Sequence, residues 1–248
     1  MQICSSAVDA PRRGAAESLR RSAFRAAFTD SASVGLSFVP LGVAFGALAT
    51  QSGLDWWWAG LSAALIFGGS FEFLLIGMVI VATPLMAVAV SAFMVNLRHV
   101  FYTLSFPLHR VHGRFGKAYS TFALCDEAYA LTAGKQARAW SSPRILWLQF
   151  LLHMYWAVGA VAGALLGSLI PDSVQGLDFA LTALFAVLAL EALRERKGDL
   201  PTPVLALASA LAARILMPDQ MLPVAFALFT AGLLARRRLT ARGKPHHA

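Results

Sequence analysis

The stretch Phe67-Gly68-Gly69-Ser70-Phe71-Glu72-Phe73 places two adjacent glycines and an acid inside an apolar segment, residues 56–82. Each glycine weakens a helix by about 1 kcal/mol relative to alanine. The backbone groups that a break frees are tolerated in hydrocarbon only where protein or a wet cavity surrounds them. We therefore expect the helix to break at Gly68-Gly69-Ser70, with Glu72 facing a cavity. The alternative is a close-packed glycine pair at a helix crossing.

The composition around this stretch is that of a membrane protein. Of the 248 residues, 58% are hydrophobic and 14% are charged, against about 25% charged residues in soluble domains. This excludes an ordinary soluble domain and a disordered chain. Two cysteines, Cys4 and Cys125, exclude a disulfide-stapled secreted scaffold. We therefore predict an all-α, polytopic helical membrane protein.

The positive charge is concentrated outside the apolar segments. The chain has 21 Lys and Arg against 13 Asp and Glu, and only Arg98 and Arg214 of the basic residues lie inside apolar stretches. Basic residues confined to connections follow the positive-inside rule. Nucleic-acid binding would instead need a contiguous basic face, so we expect none.

The charge bias also fixes a topology. A helix needs about 20 mainly apolar residues to cross a bilayer. If the basic connections are cytoplasmic, two apolar segments must enter and leave the membrane on the same side without crossing it. They are residues 56–82 and 118–134. We expect about six crossings plus these two broken or re-entrant hairpin segments; a topology in which both segments cross is the alternative. The six crossings are residues 33–50, 84–106, 145–170, 176–190, 200–217 and 221–235.

This topology predicts three regions along the chain. Residues 1–30 form a cytoplasmic N-terminal arm, residues 31–237 the transmembrane domain, and residues 238–248 a basic cytoplasmic tail. The N-terminus and the C-terminus are then both cytoplasmic, in a multi-pass protein of the inner membrane. Residues 1–30 lack the uninterrupted apolar core of a secretory signal peptide.

Polar groups in membrane segments indicate candidate functional residues, because it costs free energy to place them there. A half-helix that begins near Ser70 directs its positive end at an anion such as a carboxylate. Glu72 lies in its first turn and can cap it, bind an ammonium group or carry a proton. Asn96, Arg98 and Tyr102 add polar groups in the next span, and Arg98 and Tyr102 share a helix face. We predict a substrate-binding site formed by Gly68, Gly69, Ser70, Glu72, Asn96, Arg98 and Tyr102.

A second set of residues is suited to carry protons or ions. Glu72, Asp126 and Glu127 are acids, and His99 titrates near neutral pH. Arg98 is a possible partner of Glu72 or Asp126. The alternatives are structural pairing, snorkelling of Arg98, and a solvated loop around Asp126 and Glu127.

Motifs of enzymes, nucleotide-binding sites and metal sites do not occur in the sequence. We therefore expect neither catalysis nor a bound metal or cofactor. Energy for any transport would come from an ion, proton or substrate gradient.

Five motifs occur in an order that resembles the AzlC family of branched-chain amino acid permeases. The resemblance runs from about residue 31 to residue 237. The motifs are Pro40-Leu41-Gly42-Val43-Ala44-Phe45-Gly46, the Phe67–Phe73 stretch, Asn96-Leu97-Arg98-His99 with Tyr102, Asp126-Glu127-Ala128-Tyr129, and Gly176-Leu177-Asp178-Phe179.

The resemblance implies a secondary transporter that exports hydrophobic amino acids such as valine and leucine from bacteria. It also implies a small membrane partner of the AzlD type, and it leaves a homo-oligomer open. The sequence departs from the family at Glu72, where members usually carry glutamine. From the residues alone, a non-transporting structural membrane subunit or a channel for another small solute remains an alternative.

Overall fold

The computed structural model describes residues 6–169, 186, 201–218 and 221–242. Every regular element in these ranges is helical, which confirms the all-α prediction. The helices are α1 (Ser6–Gln51), α2 (Trp56–Leu65), α3 (Gly69–Ile80), α4 (Leu85–Ser105), α5 (Arg114–Phe122), α6 (Asp126–Ala133), α7 (Ser142–Gly167), α8 (Pro201–Leu216) and α9 (Met221–Arg242). Short 3-10 turns occupy Leu108–Arg110 and Lys135–Ala139.

Three of the described helices are long and apolar enough to cross a membrane: Arg20–Gln51 of α1, all of α4 and all of α7. They coincide with the first, second and third predicted crossings. Helices α3 and α8 are apolar but shorter. The predicted crossing at residues 176–190 lies outside the described residues, apart from residue 186. The number of crossings and the side of each connection stay predictions.

Both segments that the charge bias singled out are broken. Residues 56–82 divide into α2 and α3, with the break at 66–68. Residues 118–134 divide between α5 and α6, with the break at 123–125. Helix α5 begins at Arg114, within the basic connection, and includes Gly116 in its first turn.

Two helices extend past the predicted ends of the membrane segments. Helix α1 is continuous from Ser6, so the arm and the first crossing form one element. Helix α9 continues from its apolar part through Arg236, Arg237 and Arg238. Alanine and arginine are good helix formers, so a helix need not end where the apolar residues end.

The described residues cluster into two compact units, one of residues 1–81 and 96–177 and one of residues 82–95 and 178–248. In the second unit, α8 and α9 pack against each other. Gly232 lies against the side chain of Leu205, and Arg236 Nη1 donates to Thr202 Oγ1 at 2.8 Å.

The first unit is built on α1 and α7, whose backbones touch. A Cβ atom on Gly163 would overlap the backbone of Val43, and one on Gly46 would overlap the backbone of Ala160. Glycines four residues apart permit such close approach of two membrane helices. At one end of the pair Arg144 Nη2 lies 2.6 Å from Asp30 Oδ2. At the other end Gln51 Nε2 donates to the Gly167 carbonyl at 2.9 Å, so the pair is fixed at both ends.

Candidate functional site

The break between α2 and α3 is formed by Ile66, Phe67 and Gly68. Phe67 has φ +48°, in the left-handed region that bulky residues rarely adopt. Gly68 is the N-cap of α3, with φ −135° and ψ 67°. A glycine tolerates this departure from helical geometry at little steric cost. The break was expected at Gly68-Gly69-Ser70, but it begins two residues before Gly68, and Gly69 and Ser70 already belong to α3. Its left-handed residue is Phe67 and not one of the two glycines.

Glu72 closes this break with its side chain. Its Oε2 accepts from the backbone N–H of Gly68 at 2.9 Å and from Nε1 of Trp156 at 3.0 Å. Its Oε1 accepts from Ser62 Oγ at 3.0 Å. The side chain is only 1% exposed. One buried carboxylate thus joins the end of α2, the start of α3 and the middle of α7.

An apolar pocket of about 380 Å³ opens beside this carboxylate. Glu72 and Ser62 contribute polar side chains to its wall, and the remaining lining surface is almost entirely apolar. Small-molecule sites typically combine such an apolar wall with a few placed polar groups. The other lining residues are Phe45, Ala49, Leu54, Trp58, Ala59, Leu61, Leu65, Ile66, Leu75, Ile76 and Val79.

Aromatic rings hold the inner side of the break. The Trp156 ring stacks on Phe45 with the centroids 5.7 Å apart and meets Phe73 edge-on at 6.3 Å. Gly69 lies against this indole, since a Cβ atom there would come within 3.1 Å of it. Phe45 also lines the pocket, whereas Phe71 and Phe73 are buried in the core.

A second polar cluster joins the C-terminal half of α4 to the start of α6. Arg98 Nη1 lies 3.0 Å from Asp126 Oδ2, and His99 Nε2 lies 3.6 Å from Asp126 Oδ1. The Tyr102 and Tyr129 rings stack at 4.4 Å. Glu72 and Asp126 were the two predicted partners of Arg98, and the structure pairs Arg98 with Asp126. The side chains of this pair remain 44% and 37% exposed.

The predicted site residues thus fall into two groups. Gly68, Gly69, Ser70, Glu72 and Asn96 lie at the first break, whereas the others belong to the second cluster or lie near it. That second group comprises Arg98, His99, Tyr102, Asp126 and Glu127. Asn96 belongs with the first break, because its Oδ1 lies 3.5 Å from the position of a Cβ atom on Gly68.

Three residues that hold the breaks were not predicted from the sequence: Ser62, Gln149 and Trp156. Gln149 holds the second break, residues 123–125. Its Nε2 donates to the carbonyls of Ser120 at 2.8 Å and Ala123 at 3.3 Å, and its Oε1 accepts from Ser120 Oγ at 2.6 Å. A glutamine inside an otherwise apolar span was the available signal for this role.

Metal ligation has little support in the described ranges, where His, Cys, Asp and Glu side chains do not gather in groups of three or more. The sites described above therefore consist of hydrogen-bonding groups, one ion pair and apolar walls.

Comparison with known proteins places the chain in a family. The family model described as AzlC protein matches residues 33–170, which include α1 from Ser33, both breaks and α7. The chain belongs to the AzlC family. The matched range contains the residues of both polar clusters.

Named relatives are consistent with this assignment. The chain is 33% identical over 179 residues to the branched-chain amino acid transport protein AzlC of Bacillus subtilis, which covers 71% of this chain and 70% of that protein. It is 32% identical over 171 residues to an uncharacterized membrane protein of Helicobacter pylori, with 68% and 75% covered. It is 28% identical over 179 residues to the Escherichia coli inner membrane protein YgaZ, with 68% and 73% covered. No solved structure matches the chain.

Proposed function

We propose that the chain is a secondary transporter that exports hydrophobic, branched-chain amino acids across the bacterial inner membrane. The observation that carries the proposal is the buried Glu72 carboxylate at a helix break, directly beside an apolar pocket. Membership of the AzlC family and the similarity to the branched-chain amino acid transport protein of Bacillus subtilis support the substrate class. We propose no enzyme activity, because these relatives are transport and membrane proteins and the sequence lacks catalytic motifs.

The pocket suits the apolar side chain of such a substrate. Its volume of about 380 Å³ lies within the range of small-ligand sites. Valine, leucine and methionine side chains gain free energy from the transfer out of water, roughly 1.5–3 kcal/mol when fully buried. The wall of Ile76, Leu75 and Leu61 offers this burial.

Glu72 supports recognition of the ammonium group. An ionised carboxylate has about four acceptor positions, and the described contacts of Glu72 use three of them. Both positions on Oε2 are occupied, by Gly68 and Trp156, whereas Oε1 accepts one described hydrogen bond, from Ser62. The remaining position on Oε1 is where we place the substrate ammonium.

The first-turn amides of α3 support recognition of the substrate carboxylate. The first N–H groups of a helix have no partner within the helix, and the positive end of the helix dipole favours an anion. Glu72 already takes the Gly68 N–H. We therefore place the carboxylate at the amides of Gly69 and Ser70, with Asn96 beside them, and keep Arg98 as the alternative partner.

Proton or ion coupling is assigned to Glu72 and to the cluster of Asp126, Glu127 and His99. Asp126 and His99 are close enough to share a proton through a small movement, at 3.6 Å. A carboxyl that exchanges a proton during the cycle would give the transport rate a pH dependence.

The test is the amino-acid content of cells that are loaded with dipeptides, with the gene present or deleted. We expect deletion to raise intracellular valine, leucine and methionine. No difference in any of them would overturn the export proposal. Faster equilibration of all small neutral solutes, without accumulation against a gradient, would indicate a channel.

A small membrane partner of the AzlD type is proposed to complete the transport unit. Membrane vesicles that contain this chain with and without such a partner test this. Transport by the chain alone would overturn the need for a partner, and no transport in either case would indicate a structural subunit. Reporter fusions at the two ends test the proposed cytoplasmic position of both termini.

A further inference from the structure

One face of α7 contacts both helix breaks. Gln149, His153 and Trp156 are spaced four and three residues apart, so their side chains project from the same side of the helix. Trp156 holds the first break through Glu72. Gln149, which is fully buried, holds the second break through Ser120 and Ala123. His153 lies between these two supports.

His153 touches residues from both breaks at once. Its ring centroid lies 4.6 Å from that of Phe67 in the first break and 5.6 Å from that of Phe122 at the end of α5. Its Nδ1 lies 3.2 Å from the hydroxyl of Tyr119. The side chain is 7% exposed, so a shift of Phe67 must be accommodated by His153 or by α5.

The other ring nitrogen of His153 is turned towards the first helix of the first break. When Nδ1 accepts from Tyr119, Nε2 carries the proton. Nε2 is buried and makes no hydrogen bond of good geometry within the described part of the chain, but the backbone of Ala63 and Ala64 lies close enough to interact with the ring. These residues belong to the last turn of α2, where helix carbonyls lack an intrahelical partner. His153 therefore lies between the end of α2 and Tyr119 of α5.

The first break also has a reason to move. A bulky residue in the left-handed region, such as Phe67, is held there only by its surroundings. A change at the first break that moves Phe67 or the last turn of α2 therefore reaches His153. Coupling between two sites requires a structural element that has two arrangements and whose equilibrium both sites can shift.

We propose that His153 is a positioning residue that couples the two helix breaks, so that a change at the first break alters the second. The inference rests on the proposed function in one respect, which is that the substrate acts at the first break. The coupling itself is a property of the contacts of His153 with Phe67, Tyr119 and Phe122.

The native Cys125 allows a direct test, because it lies in the second break and its thiol is buried. In full-length chain carrying Cys4→Ser, the rate at which a membrane-permeable maleimide labels Cys125 reports local opening of the second break. Labelling is carried out in membrane vesicles with and without leucine and is quantified by mass spectrometry after purification. A parallel chain carrying Cys4→Ser, Cys125→Ser and Ile76→Cys reports occupancy of the pocket.

We expect leucine to slow labelling at position 76 in both the parent and the His153→Phe chains. Leucine should change the labelling rate of Cys125 about fivefold or more in the parent, a modest coupling between two sites, and should leave it unchanged in His153→Phe. Val158→Ala, at an exposed position of α7, is the matched control and should behave as the parent. Tyr119→Phe provides a second variant if His153→Phe does not fold, and it should weaken the leucine effect.

A leucine effect on Cys125 that persists in His153→Phe, or one that is absent in the parent while position 76 is protected, would overturn the coupling. No protection at position 76 would overturn the pocket assignment in the proposed function. A ligand-free arm separates the two proposals. Ser62→Ala, which removes the donor to Glu72 Oε1, should change Cys125 labelling in the parent but not in His153→Phe, as a double-mutant cycle. Equal effects in both backgrounds would overturn the coupling whatever the substrate is.

Discussion

Trp156 Nε1 and Glu72 Oε2 lie 3.0 Å apart, and this hydrogen bond joins a continuous membrane-length helix to the start of a half-helix. The same oxygen accepts from the Gly68 N–H. The acid that marks the site is thus also the group that satisfies the broken backbone. Substitutions at Glu72 should separate these two roles.

Glu72→Gln should keep the fold and change the transport. The amide oxygen can accept from Gly68 and Trp156, and the amide nitrogen can donate to Ser62, whose hydroxyl is able to accept. We expect the melting temperature in detergent to stay near that of the parent, while the pH dependence of leucine export changes. Export that is identical at every pH would remove the charge of Glu72 from the mechanism.

Glu72→Leu should destabilise the protein. It leaves the N–H groups of Gly68 and Trp156 buried without an acceptor, at about 1–3 kcal/mol each. Thermal unfolding in detergent, followed by size-exclusion chromatography, measures the loss. A Leu variant as stable as Glu72→Gln would show that these hydrogen bonds do not hold the break.

Gly163→Ala should separate α1 from α7. A methyl group at this position overlaps the backbone of Val43, and overpacking of this kind costs about 1–3 kcal/mol or more. Gly77→Ala is the matched control, since a Cβ atom there meets nothing within 4 Å. We expect reduced folded yield and a lower melting temperature only for Gly163→Ala. Equal behaviour of the two variants would contradict the close packing of the helices.

The Arg98–Asp126 pair should matter for transport. Its atoms lie 3.0 Å apart, and it joins α4, a predicted membrane crossing, to the start of α6. We expect Arg98→Ala and Asp126→Ala each to slow leucine export, with the double variant no slower than either single one. Additive losses would show that the two residues act separately.

The pocket wall should determine the size of the accepted side chain. Ile76 lines the pocket and is 4% exposed. Ile76→Ala enlarges the pocket, so export should shift from leucine towards phenylalanine, with selectivity changing about tenfold or more per removed group. Competition assays with labelled leucine measure this. Leu104→Ala, on the exposed side of α4, should leave selectivity unchanged.

The sequence predicts the first break because its cause is local. Two glycines and an acid within five residues oppose a continuous helix and supply a cap. The second break was predicted only from the basic residues on either side of it, since Ala123, Leu124 and Cys125 do not oppose a helix locally. Its support comes from Gln149, which is distant in sequence.

The partners of the charged groups were harder to predict. Arg98 was compatible with Glu72 and with Asp126, and only the approach of α4 to α6 decides between them. The donors to Glu72 came from Ser62 and Trp156, ten and eighty-four positions away. Such contacts depend on helix packing, which hydrophobic periodicity does not encode.

The touching backbones of α1 and α7 divide the first unit into a rigid frame and movable parts. Glycine contacts along several turns prevent one helix from sliding past the other without steric collision. The short helices on either side of the breaks at 66–68 and 123–125 are not interlocked in this way. For the proposed transporter, this division favours rocking of the half-helices on a stationary pair, with the breaks as hinges.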